Sequence, residues 1–209
     1  MRKYVVELIG TYLFVVTIGC VVVKPGDAGA MAPLAIGSAL MVMIFAGGHI
    51  SGGHFNPAVT LAVCLRGRCP AADVPGYIVA QLIGAAAGGC MTLYLKDFPT
   101  VEPAAHEMIP ALLAEFIYTF ALCYVVLNVA TAKANQGNSF YGLAIGFTVL
   151  TGAYAVGGIS GGVFNPAVAV GISVMGLSSW PNIWIYLVAN FAGGALAATA
   201  FKWLNPQDP

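Results

Sequence analysis

Residues 49–59 read HISGGHFNPAV and residues 158–168 read GISGGVFNPAV, so nine of eleven positions agree at an offset of 109. This duplication constrains the fold more than any single residue, because it requires two related halves. The match continues outside it. LAIG occurs at 34–37 and again at 143–146, Glu7 answers Glu115, and AQLIGAAAGG at 80–89 answers ANFAGGALAA at 189–198. One domain over 1–209 is expected, with repeats at about 1–105 and 106–209.

What each half contains follows from its apolar segments. Six long ones stand out, at about 4–23, 32–50, 74–95, 109–131, 140–157 and 182–203. Each is close to the ~20 residues that cross a bilayer as a helix. Two short segments, 57–66 and 166–175, follow the duplicated motifs. Ten helical residues reach ~15 Å, about half of a ~30 Å hydrocarbon core. Neither spans alone, but two meeting end to end do. The chain is 59% hydrophobic and 8% charged, far below the ~25% charge of a soluble domain. We therefore expect an all-α membrane protein. The N-terminal segment is basic then apolar, as in a signal peptide, but its apolar run is too long for one and it reads as the first span.

Three spans and one half-span per repeat is an odd number of crossings. The second half must then insert upside down, which is the inverted-repeat plan. An inside N-terminus places Arg2, Lys3, Arg66, Arg68, Lys133 and Lys202 on the cytoplasmic side and leaves Lys24 and Lys96 outside, as the positive-inside rule asks. Both termini are then cytoplasmic, in a multi-pass protein expected in the cell membrane.

The motif has a local logic. Asn56 and Asn165 suit helix N-caps, Pro57 and Pro166 suit the first helical position, and Gly67 and Gly176 suit the C-terminal stops. The SGG before each cap allows an extended approach that exposes carbonyls. Irregular backbone survives at membrane depth only where it lines a cavity or is buried in protein. The carbonyls of Gly52, Gly53, His54, Gly161 and Gly162 are therefore expected along a polar path. Two half-helix N-termini facing each other carry about half a positive charge apiece. Two asparagine amides donating to one water leave it no lone pair for a hopping proton. Such a path passes neutral solutes and excludes protons and cations.

Two Asn-Pro-Ala triplets, Asn56-Pro57-Ala58 and Asn165-Pro166-Ala167, each behind SGG in a six-span repeat, resemble the aquaporin (major intrinsic protein) family. The resemblance covers essentially the whole chain and implies a homotetramer with one pore per subunit. It also implies that Glu7 and Glu115 brace the re-entrant loops by accepting their N–H groups, the favoured reading of carboxylates inside apolar spans. It places His54, whose counterpart is Val163, at the pore as a polar lining group.

The departure from the family pattern is Val168. The resemblance implies an arginine after the second triplet, within an aromatic/arginine filter of four residues. The aligned positions here are Ile36, Ala153, Gly162 and Val168, all apolar and mostly small. A filter without arginine, histidine or an aromatic ring is expected to be wide. Ala169 stands where glycerol facilitators usually carry Asp, whereas Leu187 stands where water channels often carry Trp, which leans the other way. Asn190 stands where the family often carries Pro, and the sequence offers no reason for it.

The expected function is passive conduction of water and small uncharged solutes such as ammonia, hydrogen peroxide, urea, glycerol or arsenite. The alternative is a cation-leaky channel, because the charge that repels cations is missing from the filter. The chain has no nucleotide motif, metal cluster or catalytic Ser/His/Asp set, so no enzyme, cofactor or metal is expected. Zero net charge without a basic cluster argues against nucleic acid. The cysteines Cys20, Cys64, Cys69, Cys90 and Cys123 read as small hydrophobes. His49 and His106 have no partner identifiable from the sequence.

Overall fold

A computed structural model describes residues 1–208; the expected domain runs one residue further, and Pro209 lies outside the described residues. Among the described residues eight α-helices follow one another: α1 Arg2–Val22, α2 Ala32–Ser51, α3 Pro57–Leu65, α4 Val74–Leu95, α5 Met108–Val126, α6 Tyr141–Ser160, α7 Pro166–Val174 and α8 Ile183–Leu204. A π-helical turn, Leu127–Thr131, prolongs α5. Six of these helices are long and apolar enough to cross a membrane. Well under half of each span's apolar stretch is buried inside the protein. Side chains such as Ile83, Ile117, Leu113 and Val188 are exposed on the surface of the bundle, as an integral membrane protein allows.

The pairing of helices repeats. The α1 helix packs on α4 and α5 packs on α8, while α2 packs on α6 across the two halves. Helices do not attract one another hydrophobically in lipid, so close approach at small residues holds them. A Cβ added at Gly84 would lie 2.5 Å from the Leu8 carbonyl oxygen, and one at Gly193 would lie 2.7 Å from that of Phe116. These two glycines are 109 residues apart and make the same close contact in each half. Gly84 and Gly193 therefore sit in the α1–α4 and α5–α8 seams.

The two short helices are each nine residues long, one residue shorter than expected, with Arg66 and Met175 as their C-caps. Gly67 and Gly176 follow at φ 85° and 79°, the left-handed stop anticipated for them. The two helices thread inward between the spans: α3 packs against α8 and α7 against α4. Each half therefore lends its half-helix to the seam of the other.

Candidate functional site

The site is built from the segments that precede α3 and α7. Helices α2 and α6 continue through Ser51 and Ser160 and are stopped by Gly52 and Gly161, at φ 91° and 92°. Gly53 and Gly162 are also left-handed, at φ 64° and 65°, as are Phe55 at 48° and Phe164 at 49°. The approach is therefore more tightly folded than the extended path expected from SGG. Only glycine adopts this conformation without a Cβ penalty. Phenylalanine there is strained, and strain persists only where surrounding contacts over-determine it.

Those contacts come from two buried carboxylates. Glu7 Oε1 accepts from Ser51 Oγ at 2.7 Å and from the His54 N–H at 2.9 Å. Its Oε2 accepts from the Phe55 N–H at 2.6 Å and from Gln81 Nε2 at 2.8 Å. Glu115 repeats the pattern with Ser160 Oγ at 2.7 Å, Val163 N–H at 2.9 Å, Phe164 N–H at 2.7 Å and Asn190 Nδ2 at 3.2 Å. Both carboxylates have zero exposure. Every partner is a donor, so each position needs a side chain that only accepts.

Asn190, for which the sequence offered no reason, now has one. It is the repeat counterpart of Gln81, and both carry an amide that reaches the buried glutamate. Gln81 also donates to Thr60 Oγ1 at 3.0 Å, and Asn190 to Thr119 Oγ1 at 3.0 Å. The second partners differ because the counterpart of Thr60 is Ala169, which has no hydroxyl.

The asparagines meet. Asn56 Oδ1 caps α3 by accepting from the Ala58 N–H at 2.9 Å, and Asn165 Oδ1 caps α7 through Ala167 N–H at 2.9 Å. Asn56 Nδ2 donates to the Phe164 carbonyl at 2.9 Å, and Asn165 Nδ2 donates to the Phe55 carbonyl at 2.9 Å. These reciprocal bonds join the two loops at the N-termini of both half-helices. Pro57, Ala58, Pro166 and Ala167 are buried behind them. Each Nδ2 has a second hydrogen not used in these bonds, and both asparagines line one small cavity.

Cavities continue on both sides of that point. The central one, of about 20 Å³, has room for about one water. One, called outer after the orientation expected from the basic residues, measures about 260 Å³ and is lined by Ile36, Ala153, Gly162 and Val168 together, with Gly161 and Tyr186. Two adjoining cavities of about 470 and 490 Å³ lie at the other end. Gly53 and His54 line the central cavity, and Gly52 lines both inner ones. The carbonyls of Gly52, Gly53, His54, Gly161 and Gly162 accept no hydrogen bond outside the helical ladders among the described residues. His54 is buried, with Nδ1 3.1 Å from Thr60 Oγ1 and its ring 4.9 Å from that of Tyr77.

Two features escaped the sequence reading. His106, in the loop before α5, lines the outer cavity; no periodicity marks it, because tertiary folding of the loop brings it there. The loop is held by the Ala104 N–H, which donates to the Leu177 carbonyl at 3.0 Å. At the inner end, Arg66 is fully buried and donates to Asp208 Oδ1 at 2.7 Å. Asp208 also accepts from the Lys133 N–H at 2.7 Å and sits 3.4 Å from Arg68. The Lys133 N–H and then Arg66 hold the Asp208 carboxyl below the usual aspartate range. Arg66, Arg68 and Lys133 thus gather at one end, and Lys96 is bound at the other to the Pro25 and Gly26 carbonyls. No group of three or more metal-ligating side chains is present among the described residues.

Comparison with known proteins bears on the same arrangement. The family model described as Major intrinsic protein matches residues 1–201. Aquaporin NIP1-1 of Oryza sativa subsp. japonica is 38% identical over 213 residues, covering 97% of this chain and 74% of its own. Glycerol uptake facilitator protein-like 6 of Lactiplantibacillus plantarum is 37% identical over 223 residues, covering all of both. The X-ray structure of the aquaglyceroporin from Plasmodium falciparum superposes with a TM-score of 0.84, at 21% identity, over 99% of this chain and 97% of that one. The last similarity bears on the fold alone.

Proposed function

Because the chain belongs to the major intrinsic protein family, and is thus an integral membrane channel and not an enzyme, we propose that its pore runs through the asparagine pair and carries a wide, apolar outer filter. The family reading supplies water and small neutral solutes as cargo. The filter of Ile36, Ala153, Gly162 and Val168 leaves room for solutes beyond water, the candidates being ammonia, hydrogen peroxide, urea, glycerol and arsenite.

The observation that carries this is the outer cavity. All four residues share its wall, its volume is about 260 Å³, and among the described residues no Asp, Glu, Lys or Arg lines it. Strongly hydrated solutes gain little from such a wall, and nothing there excludes a larger neutral one. The similarity to a protein named as a glycerol uptake facilitator supports the same cargo class.

Ion exclusion belongs to the centre. The N-termini of α3 and α7 meet there, each worth about half a positive charge, and each asparagine keeps one N–H for solute. This arrangement weighs against the cation-leaky alternative, which rests on the missing filter arginine. Glu7 and Glu115 act as braces, because each spends two of its four hydrogen bonds on loop N–H groups and the other two on a serine at a helix end and an amide of a neighbouring span. The chain assembles as a homotetramer, with one pore per subunit and both termini on the cytoplasmic side, where Arg66, Arg68 and Lys133 cluster.

The test is stopped-flow light scattering of proteoliposomes with water, ammonia, urea and glycerol in turn, with voltage clamp for ions. Flux of at least one solute besides water, independent of a proton gradient and without current, is the expected result. Cation current above the protein-free bilayer would instead establish the leaky alternative.

A further inference from the structure

The wide outer cavity leaves open where solutes are sorted by size. Between that cavity of about 260 Å³ and the central one of about 20 Å³ stands a partition. Phe14, Val149 and Val163 line both cavities and so form its rim. They are 3%, 5% and 6% exposed. No filter residue lines the central cavity.

The rim is stiff on two sides. Valine has few χ1 options. Val163 is also fixed through its backbone, since its N–H is bound to Glu115 at 2.9 Å and Gly162 before it is left-handed at φ 65°. Phe14, on α1, contributes the only ring. A solute passing this rim meets no hydrogen-bonding side chain until it reaches Asn56 and Asn165, so its cross-section and its cost of dehydration decide whether it passes.

The repeat shows that this is a property of one side. The counterparts of Phe14, Val149 and Val163 are Leu122, Leu40 and His54, at offsets of 108, 109 and 109. These three also line the central cavity, so a second collar mirrors the first across the asparagine pair. The inner collar has leucine in place of the ring and a histidine in place of valine, and His54 opens onto an inner cavity as well. The purely apolar collar, and the one that carries an aromatic ring, is the outer one.

We propose that Phe14, Val149 and Val163 form the size-selecting aperture of this channel, one layer below the four filter positions, and that it admits small uncharged solutes in single file. This rests on the neutral-solute reading above. Phe14 sets the aperture, because it is the largest of the three and the one not β-branched.

The experiment compares the glycerol-to-water and urea-to-water permeability ratios of the parent with Phe14→Ala, Phe14→Leu, Phe14→Trp, Val149→Ile and Val168→Ala, in proteoliposomes normalised to channel number. A contact group in an apolar pocket is commonly worth about tenfold in discrimination. We expect Phe14→Ala to raise the glycerol-to-water ratio by about that factor, and Phe14→Trp and Val149→Ile to lower it. Val168→Ala should change it by less than about twofold, since it enlarges a cavity that is already wide. Phe14→Leu and Val149→Ile keep the test readable if the larger truncation folds poorly. Unchanged ratios in the Phe14 and Val149 variants, with a rise in Val168→Ala, would overturn the aperture and return selection to the filter while leaving the channel function intact. Parent vesicles no more permeable than protein-free ones would overturn the channel reading itself, and the aperture with it.

Discussion

Replacing Glu115 with glutamine keeps the shape of the side chain and turns one acceptor oxygen into an NH2. If the NH2 replaces Oε1, it faces the Val163 N–H and Ser160 Oγ; if it replaces Oε2, it faces the Phe164 N–H and Asn190 Nδ2. The serine hydroxyl can turn and accept, and the Asn190 amide can flip, since its Oδ1 has no partner. The backbone N–H can do neither, so one of them is left unpaired in either orientation. A buried donor without a partner costs about 1–3 kcal/mol, and hydrogen bonds to a charge lose about 1 kcal/mol each when the acceptor becomes neutral. With three bonds retained, the loss is about 4–6 kcal/mol. At about 2–4 °C per kcal/mol for a chain of this size, the apparent Tm should fall by roughly 10–20 °C. The assay is intrinsic fluorescence of the purified protein on heating, at one fixed scan rate because unfolding of such proteins is often irreversible. Asn190→Leu, which removes one of the four bonds and no charge, should cost far less, about 1–2 kcal/mol. A Glu115→Gln protein that melts within about 2 °C of the parent and conducts normally would refute the brace, because the Val163 and Phe164 N–H groups are both bound to Glu115.

Val168→Arg brings a permanent charge and five donors into the outer cavity, and should lower urea and glycerol permeability about tenfold relative to water; stopped-flow ratios measure this, and an unchanged ratio would mean that Val168 does not face the path. Asn165→Asp should raise cation conductance in voltage clamp, because a carboxylate offsets the half-helix field and cannot donate to the Phe55 carbonyl; Asn56→Asp should do the same, and ion-tight variants would remove the electrostatic account. The depressed carboxyl of Asp208 means that its docking stabilises the folded chain above the ordinary aspartate value of about 3.9 and is lost as pH falls through its lower folded value. Limited proteolysis should therefore release the tail in Asp208→Asn at neutral pH, and in the parent only below about pH 4; equal protection of both at neutral pH would contradict this.

Much of the site was legible in the sequence because its logic is local. The caps Asn56 and Asn165, the first-position prolines and the stops Gly67 and Gly176 obey rules that act within a few residues. The repeat offset alone aligns the halves, whereas the four filter positions are what the resemblance to the aquaporin family implies. The roles of Asn190 and His106 were not legible, because each depends on a neighbour far away in sequence. Asn190 meets Glu115 across 75 residues. The left-handed Phe55 and Phe164 were hidden for the same reason: phenylalanine has no intrinsic preference for that conformation, and contacts from residues distant in sequence, the carboxylates and the asparagine of the other half, hold it.

The sequence by itself determined the number of spans, the two half-helices, their duplication and the residues that cap them. These follow from hydrophobic length, helix-end chemistry and internal repetition, which are written along one dimension. Only the tertiary structure decided which carbonyl each asparagine reaches, that Ile36, Ala153, Gly162 and Val168 share the wall of one cavity, and that Phe14, Val149 and Val163 line both that cavity and the central one. A passage is the space left between α1, α6 and the loop before α7, and its width depends on how closely those separate segments pack.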